Sequence, residues 1–221
     1  MPLLQKHHSP LWGIWKIEES WEDMLCQLEQ QEAYLPFLNQ CKSEGRKAEW
    51  LAVRLLIKEL SGTETVVAYR DNGAPFLPDS LLQISISHTK GFAAVLLSPD
   101  KPVGIDIEYC SERVHRIKSR FLSECEFKLL GDNPKTNELL VCWSAKETAF
   151  KMMEQKTADM QNDIHIIDFK PSQDSDYGII TISESATPLS AVFQITYRIT
   201  SEYVVTWAEQ RAPKKTANIS G

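Results

Sequence analysis

No stretch of the 221-residue sequence is apolar for long enough to cross a bilayer. The longest apolar runs, such as residues 92–97, are far shorter than the roughly 20 residues that a membrane-spanning helix needs. The N-terminus also lacks a basic region followed by an apolar run, which a secretory signal requires. These absences predict a cytoplasmic protein that does not bind a membrane.

Cysteine spacings typical of metal fingers or disulfide frameworks are missing as well. The five cysteines are an odd number, and no two of them form a C-x-x-C pair. Reduced thiols that pack as small hydrophobic side chains are therefore expected. The sequence also has no Gly-rich phosphate loop of the form G-x-x-x-x-G-K-S/T, which counts against a nucleoside triphosphatase.

An excess of basic residues is absent too, because the net charge is −6. Domains that bind DNA or RNA are usually basic, so nucleic acid is not the expected partner. The apolar and charged fractions, 43% and 24%, are ordinary for a globular chain, and there is no repeat or low-complexity tract. The length fits one large domain or two small ones.

Helix-like and strand-like patterns are mixed along the chain without a regular βαβ rhythm. Apolar residues at helical spacing predict a helix over 44–60, with Ser43 as its cap and Ser61-Gly62 as its stop. The other predicted elements are strands at 82–87, 92–97 and 103–109, a helical pattern over 111–153 broken at 131–134, and antiparallel strands at roughly 177–184, 190–199 and 202–210. This mixture predicts an α+β fold, with a boundary between two similar-sized halves near residue 100.

The most informative motif is VGIDIE at 103–108. On a strand, Ile105 and Ile107 would point to one face, toward a core, while Asp106 and Glu108 would point to the other. Two adjacent carboxylates repel each other, so a cation is a natural partner for them. An ordinary half-exposed strand with acidic outer positions is the alternative, and this motif alone does not decide between the two.

A second motif is WSAKETAFK at 143–151. In a helix, Trp143, Glu147 and Lys151 lie on one face at spacings of i, i+4 and i+8. The alternative is a surface Glu–Lys pair, and the tryptophan on the same stripe argues against it. Glu147 would complete, with the two strand carboxylates, a set of three oxygen ligands that suits Mg²⁺ beside a diphosphate, and Lys151 could reach the same phosphate.

Two further residues fit a phosphate-bearing substrate. His88 follows the strand-like segment 82–87 and would lie at a loop mouth, and Arg54 lies within the predicted helix 44–60. A structural histidine and a solvated arginine are the alternatives, and neither residue excludes them by itself.

Taken in order, these motifs resemble the paired motifs of the 4′-phosphopantetheinyl transferases. The resemblance covers about residues 45–151 and is carried by VGIDIE at 103–108, by W-S-x-K-E-x-x-x-K at 143–151 and by ISISH at 84–88. The chain length and the ISISH segment are similar to the larger, Sfp-type branch. This resemblance implies a monomer made of two similar α/β halves, related by a pseudo-twofold axis, with coenzyme A in the cleft between them.

The resemblance further implies a division of labour between the halves. Residues 1–101 would form the coenzyme A-binding side, residues 102–210 would carry the metal site and the catalytic helix, and residues 211–221 would be a flexible tail. The implied Mg²⁺ ligands are Asp106, Glu108 and Glu147. The implied coenzyme A ligands are Arg54 at the nucleotide, His88 with Ser87 beside it at the 3′-phosphate, and Lys151 at the phosphate of the scissile bond.

The implied activity is of the holo-acyl-carrier-protein synthase type. A serine hydroxyl of an apo acyl or peptidyl carrier protein would attack the β-phosphate of coenzyme A, and adenosine 3′,5′-bisphosphate would leave. Glu147 is the first candidate for the base and Glu126 the second. A non-catalytic homologue that binds coenzyme A or a carrier protein and a Mg²⁺-dependent nucleotide hydrolase are the two alternatives.

A basic cluster in this acidic chain predicts a docking surface for an acidic carrier protein. It lies beside Phe121 and Leu122 and consists of Arg113, His115, Arg116, Lys118 and Arg120. A solvated helical face is the alternative.

Two departures from the family pattern concern coenzyme A. The usual Gly-Lys-Pro turn reads Gly73-Ala74-Pro75, so its basic contact is missing and Arg70 is the candidate substitute. The glycine-rich stretch that often follows the second motif is absent, since residues 152–156 read MMEQK.

Overall fold

The computed structural model describes residues 2–153, 157–170, 175–188 and 190–210. The tail predicted at 211–221, and residues 154–156 of the segment after the second motif, lie outside the described residues. Among the helices that are described, none combines the length and apolar character that crossing a bilayer requires.

The first part of the chain builds a four-stranded antiparallel sheet with helices on one face. Its elements, in chain order, are β1 (Leu3–His8), β2 (Leu11–Lys16), α1 (Trp21–Cys26), α2 (Gln31–Gln40), α3 (Glu44–Ser61), β3 (Ala68–Tyr69), β4 (Pro75–Phe76), β5 (Gln83–Thr89) and β6 (Phe92–Ser98). The strand order in this first sheet is β1-β2-β6-β5, and β3 and β4 form a separate small hairpin.

The second part builds a five-stranded antiparallel sheet under one long helix. Its elements are β7 (Val103–Tyr109), α4 (Val114–Ile117), a 3₁₀ turn (Lys118–Arg120), α5 (Glu124–Leu130), α6 (Thr136–Met152), β8 (Ile164–Phe169), β9 (Tyr177–Glu184), β10 (Val192–Ile199) and β11 (Tyr203–Glu209). The strand order in this second sheet is β7-β11-β10-β9-β8.

The predicted α+β class is confirmed, and so is the helix predicted at 44–60. Ser43 Oγ accepts the N–H of Arg46 at 3.3 Å, and Gly62 ends α3 with a φ of 78°, a left-handed conformation that glycine adopts without strain. The three strands predicted in the last third correspond to β9, β10 and β11. The pseudo-twofold relation of the halves and the domain division at residue 101 remain predictions.

Three apolar layers hold these elements together. Helix α3 packs on the first sheet, and α6 packs on the second. The third layer lies between the sheets, where Trp12 of β2 contacts Trp207 of β11 with ring centroids 4.7 Å apart. Ile105 and Ile107 are buried in this middle layer, as the strand alternation predicts, so Asp106 faces α6 instead.

Strand β7 is an edge of the second sheet, and hydroxyl groups of β5 satisfy its free N–H groups. Three main-chain N–H groups of β7 donate to three side-chain oxygens of β5: Ile105 to Ser85 at 3.0 Å, Ile107 to Ser87 at 3.3 Å, and Tyr109 to Thr89 at 3.3 Å. Because buried N–H groups need acceptors, this hydroxyl ladder fixes β5 against β7 in a single register.

Candidate active site

Helix α6 approaches β7 very closely at Gly104. A Cβ at this position would lie 2.4 Å from the carbonyl oxygen of Thr148, so only glycine fits the approach. Buried hydroxyl contacts also tie α6 to β11, because Thr206 Oγ1 lies 2.9 Å from Ser144 Oγ and 2.6 Å from Thr148 Oγ1. These contacts set the rotation of α6 and turn Glu147 and Lys151 toward Asp106.

Asp106 is 4% exposed and has one saturated and one free carboxylate oxygen. Its Oδ1 accepts hydrogen bonds from Lys151 Nζ at 2.8 Å and from Ser87 Oγ at 2.8 Å. Its Oδ2 is buried and has no hydrogen-bond partner among the described residues. An unpartnered buried carboxylate oxygen is costly, so Oδ2 is the natural point of attachment for a cation.

Glu108 lies beside Asp106 on the same face of β7. Its Oε1 accepts a hydrogen bond from Trp143 Nε1 at 2.7 Å. Burial and the neighbouring charge of Asp106 raise the pKa of Glu108 to about 7, against the lowering effect of the Trp143 hydrogen bond. The charge of Glu147 adds to the increase, so the three carboxylates are close enough to repel one another.

Glu147 feels the same environment from the helix side. Burial raises the pKa of its carboxyl group, and so does the charge of Asp106, while the ammonium group of Lys151 lowers it. A half-buried acid with a raised pKa binds a proton more tightly than a free glutamate, which suits a proton acceptor.

These residues fit a magnesium ion without forming a finished site. Within the described ranges, no group of three or more His, Cys, Asp or Glu side chains is already arranged to hold a metal. Lys151 and Ser87 engage Asp106, and Trp143 engages Glu108, so the carboxylates are held by protein donors. A divalent cation would bind to these hard oxygen donors, reduce the repulsion between the carboxylates and give Asp106 Oδ2 a partner. The Mg²⁺ ligand set remains a prediction.

The raised pKa of Glu108 predicts a pH-dependent stability in the absence of divalent cations. Between pH 4.5 and about 7, folded Glu108 keeps a proton that the unfolded chain releases. The free energy of unfolding should therefore fall as the pH rises through this window, by up to about 3 kcal/mol, and level off above it. Urea unfolding in chelator should show this fall, and Glu108→Gln should reduce it and leave the contribution of Glu147. An unchanged pH profile in the variant would contradict the assignment.

Lys146 and Glu126 form a buried ion pair behind the site. Lys146 is 0% exposed, and its Nζ lies 2.8 Å from Glu126 Oε1 while donating to the carbonyls of Phe121 at 2.6 Å and Met160 at 2.8 Å. Burial lowers the pKa of Lys146, and the contact with Glu126 counteracts part of this effect. In the predicted helix, Lys146 lies beside the face that carries Trp143, Glu147 and Lys151. Its burial becomes visible only in the folded structure.

Glu126, the second candidate base, is held by hydrogen bonds from the protein. Its Oε2 accepts the N–H of Ser123 at 2.7 Å, in a capping box at the start of α5. Its Oε1 accepts the N–H of Ile166 at 2.7 Å as well as the ammonium group of Lys146. Both oxygens are engaged and 3% of the residue is exposed, so these contacts support the fold, and the catalytic role of Glu126 stays a prediction.

The residues predicted to contact coenzyme A lie on α3 and β5. Arg54 is 3% exposed, with its guanidinium 3.5 Å from the ring centroid of Trp50 and its Nη1 donating to the Trp50 carbonyl at 3.1 Å. Its Nε is buried without a partner among the described residues. His88 is exposed, and its Nδ1 lies 3.2 Å from Glu49 Oε2. Their contacts with coenzyme A stay predictions.

The candidate substitute for the missing turn lysine stands beside an aromatic ring. The guanidinium of Arg70 lies 5.1 Å from the ring centroid of Phe76, and Arg70 begins the turn between β3 and β4. This geometry positions a cation near the Gly73-Ala74-Pro75 turn.

A mixed α+β fold that brings three carboxylates and a lysine together is compatible with one known superfamily of proteins. Residues 102–208 match the model of the 4′-phosphopantetheinyl transferase superfamily. This segment contains β7, α6 and the acidic cluster, which consists of Asp106, Glu108 and Glu147. Residues 102–208, close to half of the chain, are therefore similar to this superfamily.

Two curated relatives show the same similarity. The chain is 31% identical over 130 residues to the 4′-phosphopantetheinyl transferase gsp of Aneurinibacillus migulanus, which covers 56% of this chain and 54% of the relative. It is 32% identical over 96 residues to the 4′-phosphopantetheinyl transferase AcpT of Escherichia coli O157:H7, which covers 42% of this chain and 48% of the relative. The chain thus matches about half the length of these relatives.

Proposed function

We propose that this protein transfers the 4′-phosphopantetheine arm of coenzyme A to a serine of an apo acyl or peptidyl carrier protein, as a monomer of the Sfp type. The observation that carries the proposal is the meeting of buried Asp106 and half-buried Glu108 and Glu147 with Lys151, inside the segment that matches the superfamily. The holo-acyl-carrier-protein synthase specificity rests on the same site.

In the proposed reaction, the serine oxygen attacks the β-phosphorus of coenzyme A. The bond from that phosphorus to the bridging oxygen breaks, and adenosine 3′,5′-bisphosphate leaves. Glu147 takes the serine proton, directly or through a water. Mg²⁺, held by Asp106, Glu108 and Glu147, would neutralise charge on the diphosphate.

Lys151 has a separate part in this mechanism. Its Nζ donates to the carbonyl of Ile105 at 3.0 Å and to Asp106 Oδ1 at 2.8 Å, which keeps the ammonium group at the acidic cluster. Charge that develops on a non-bridging phosphate oxygen would be stabilised by this fixed cation. His88 and Arg54 are proposed to hold the 3′-phosphate and the nucleotide on the side of residues 1–101.

The proposal is tested by mass spectrometry of an apo carrier protein incubated with coenzyme A and Mg²⁺. The wild type should add the phosphopantetheine arm, and Glu147→Gln should slow the transfer by about 100-fold or more, because a general base is lost. Glu124→Gln, at an exposed position on α5, is the control and should keep full activity. Binding of coenzyme A without transfer would favour the non-catalytic alternative. Release of phosphate from nucleotides without any carrier would favour a hydrolase.

The basic cluster is the proposed docking surface for the carrier. Arg113, Arg116 and Arg120 are exposed, which agrees with docking. Phe121 and Leu122, however, are both 0% exposed and belong to the core under α6, so the apolar part expected beside the cluster is not at the surface. Docking here would be mainly electrostatic.

Reversing one charge in this cluster should weaken carrier recognition. Arg116→Glu is expected to raise the KM for the carrier about tenfold at low salt and to leave kcat nearly unchanged, because the residue steers the partner without touching the reacting atoms. Steady-state kinetics at two ionic strengths measures this effect. Lys42→Glu, an exposed charge reversal before α3, is the matched control. Equal KM values for the two variants would place the docking surface elsewhere.

A further inference from the structure

Ser87 differs from its neighbours in the hydroxyl ladder. Ser85, Ser87 and Thr89 each accept one main-chain N–H from β7. Among the described contacts of these three residues, only Ser87 also donates to a carboxylate, Asp106 Oδ1 at 2.8 Å. One rung of the ladder therefore connects the two sheets directly to the acidic cluster.

The single hydroxyl proton of Ser87 is already used. A serine hydroxyl has one O–H donor and two acceptor lone pairs. The proton points to Asp106, and one lone pair accepts the N–H of Ile107 at 3.3 Å. The hydroxyl has no second proton for a phosphate oxygen, and the adjacent carboxylate would repel such an anion. These contacts conflict with a coenzyme A phosphate as the ligand of Ser87.

The bond to Ser87 also selects which oxygen of Asp106 is free. Ser87 and Lys151 both donate to Oδ1, so the carboxylate is held from one side, while the buried Oδ2 has no partner among the described residues. The side chain of Ser87 is short, is 8% exposed, and is fixed by the main chain of β7. It can therefore hold the orientation of Asp106 with little loss of side-chain entropy.

We infer that Ser87 is a positioning residue that orients Asp106 for a divalent cation, rather than a ligand of coenzyme A. The inference rests on the proposed function for the identity of the reaction, but it concerns cation binding by the free protein. Hydrogen-bond partners of metal ligands typically change metal affinity by about 10- to 100-fold when they are removed.

The test compares Ser87→Ala with Ser85→Ala. Both variants remove one hydroxyl that accepts a β7 N–H, but only the first removes a bond to Asp106. Mn²⁺ binding to the free protein is measured by electron paramagnetic resonance, without coenzyme A or carrier. Ser87→Ala should weaken the binding of Mn²⁺ about tenfold or more, and Ser85→Ala should change it by less than about twofold. Ser87→Thr, which keeps a hydroxyl, should restore the affinity.

A second readout separates this role from phosphate binding. Ser87→Ala should leave the preference for coenzyme A over 3′-dephospho-coenzyme A unchanged and should raise the Mg²⁺ concentration needed for half-maximal transfer. A loss of that preference with normal Mn²⁺ binding would overturn the inference, and so would equal losses of Mn²⁺ affinity in the two alanine variants. If Ser87→Ala does not fold, Ser87→Cys carries the same comparison with a weak donor of similar size.

The cation experiment also distinguishes the two proposals. Mn²⁺ binding that depends on both Asp106 and Ser87, in a protein that transfers nothing to a carrier, would support the positioning role and reject the proposed function. If the free protein shows no Mn²⁺ binding that Asp106→Ala weakens, the positioning role is overturned, whatever the transfer assay shows.

Discussion

Glu126→Ala is expected to lower the free energy of unfolding by about 3–5 kcal/mol, because it leaves Lys146 charged and unpaired in the core. Lys146 is 0% exposed, and its only carboxylate partner among the described residues is Glu126, at 2.8 Å. The substitution also removes acceptors for the N–H groups of Ser123 and Ile166. Urea unfolding measures the loss, and Glu124→Ala, an exposed position on the same helix, is the control.

The double variant Glu126→Leu with Lys146→Met sharpens this prediction. Removing both charges avoids an uncompensated buried ion, so the double variant should be more stable than Glu126→Ala. If Glu126 were a base, any substitution would abolish transfer whether or not the fold survives. Transfer by the folded fraction of Glu126→Gln supports the structural role, and a stable but inactive Glu126→Gln would contradict it.

Gly104→Ala is expected to cost stability and most of the activity together. The new Cβ would lie 2.4 Å from the main-chain oxygen of Thr148 and 2.8 Å from Met152 Cγ. A flexible side chain could move aside, but a helix carbonyl cannot, so α6 must shift away from β7. We expect a loss of about 1–3 kcal/mol in unfolding free energy, which is typical of overpacking. Since a shift of about 1 Å at a reacting group costs on the order of 100-fold, transfer should fall by a similar factor.

A second glycine provides the matched control for this variant. A Cβ at Gly45, in the first turn of α3, would meet nothing closer than Ser43 Oγ at 4.0 Å. Gly45→Ala should therefore be neutral or stabilise the protein by up to about 1 kcal/mol, because alanine is the better helix former. Thermal unfolding and the carrier assay compare the two variants. Equal activities would show that the close approach of α6 to β7 does not position the catalytic groups.

Local sequence patterns predict the helices and strands of this fold better than they predict the contacts between them. Helix α3 follows from apolar spacing, the Ser43 cap and the Gly62 stop, all of which act within a few residues. The two faces of β7 follow from strict alternation, because Ile107 is buried in the core while Glu108 lies beside Asp106 on the other face. Such signals are independent of the rest of the chain.

The buried polar groups could not be predicted because their partners are distant in sequence. Ser85 and Ser87 would be exposed on an ordinary amphipathic strand, and they are buried because β7, twenty residues later, supplies N–H groups to accept. Lys146 is internal because Glu126 is also internal. Phe121 follows a run of basic residues, but its side chain points into the core. Each case depends on a contact that only the tertiary structure creates.

The layer between the two sheets has a consequence for how this chain unfolds. Trp12, Ile14 and Leu96 from one sheet pack on Val205 and Trp207 from the other, so each half shields the other from water. Cutting the chain within the turn at 99–102 should not release two independently folded domains, because each fragment would expose an apolar surface that contains a tryptophan side chain. The two halves should instead melt in one cooperative transition, and tryptophan fluorescence and circular dichroism should report the same midpoint.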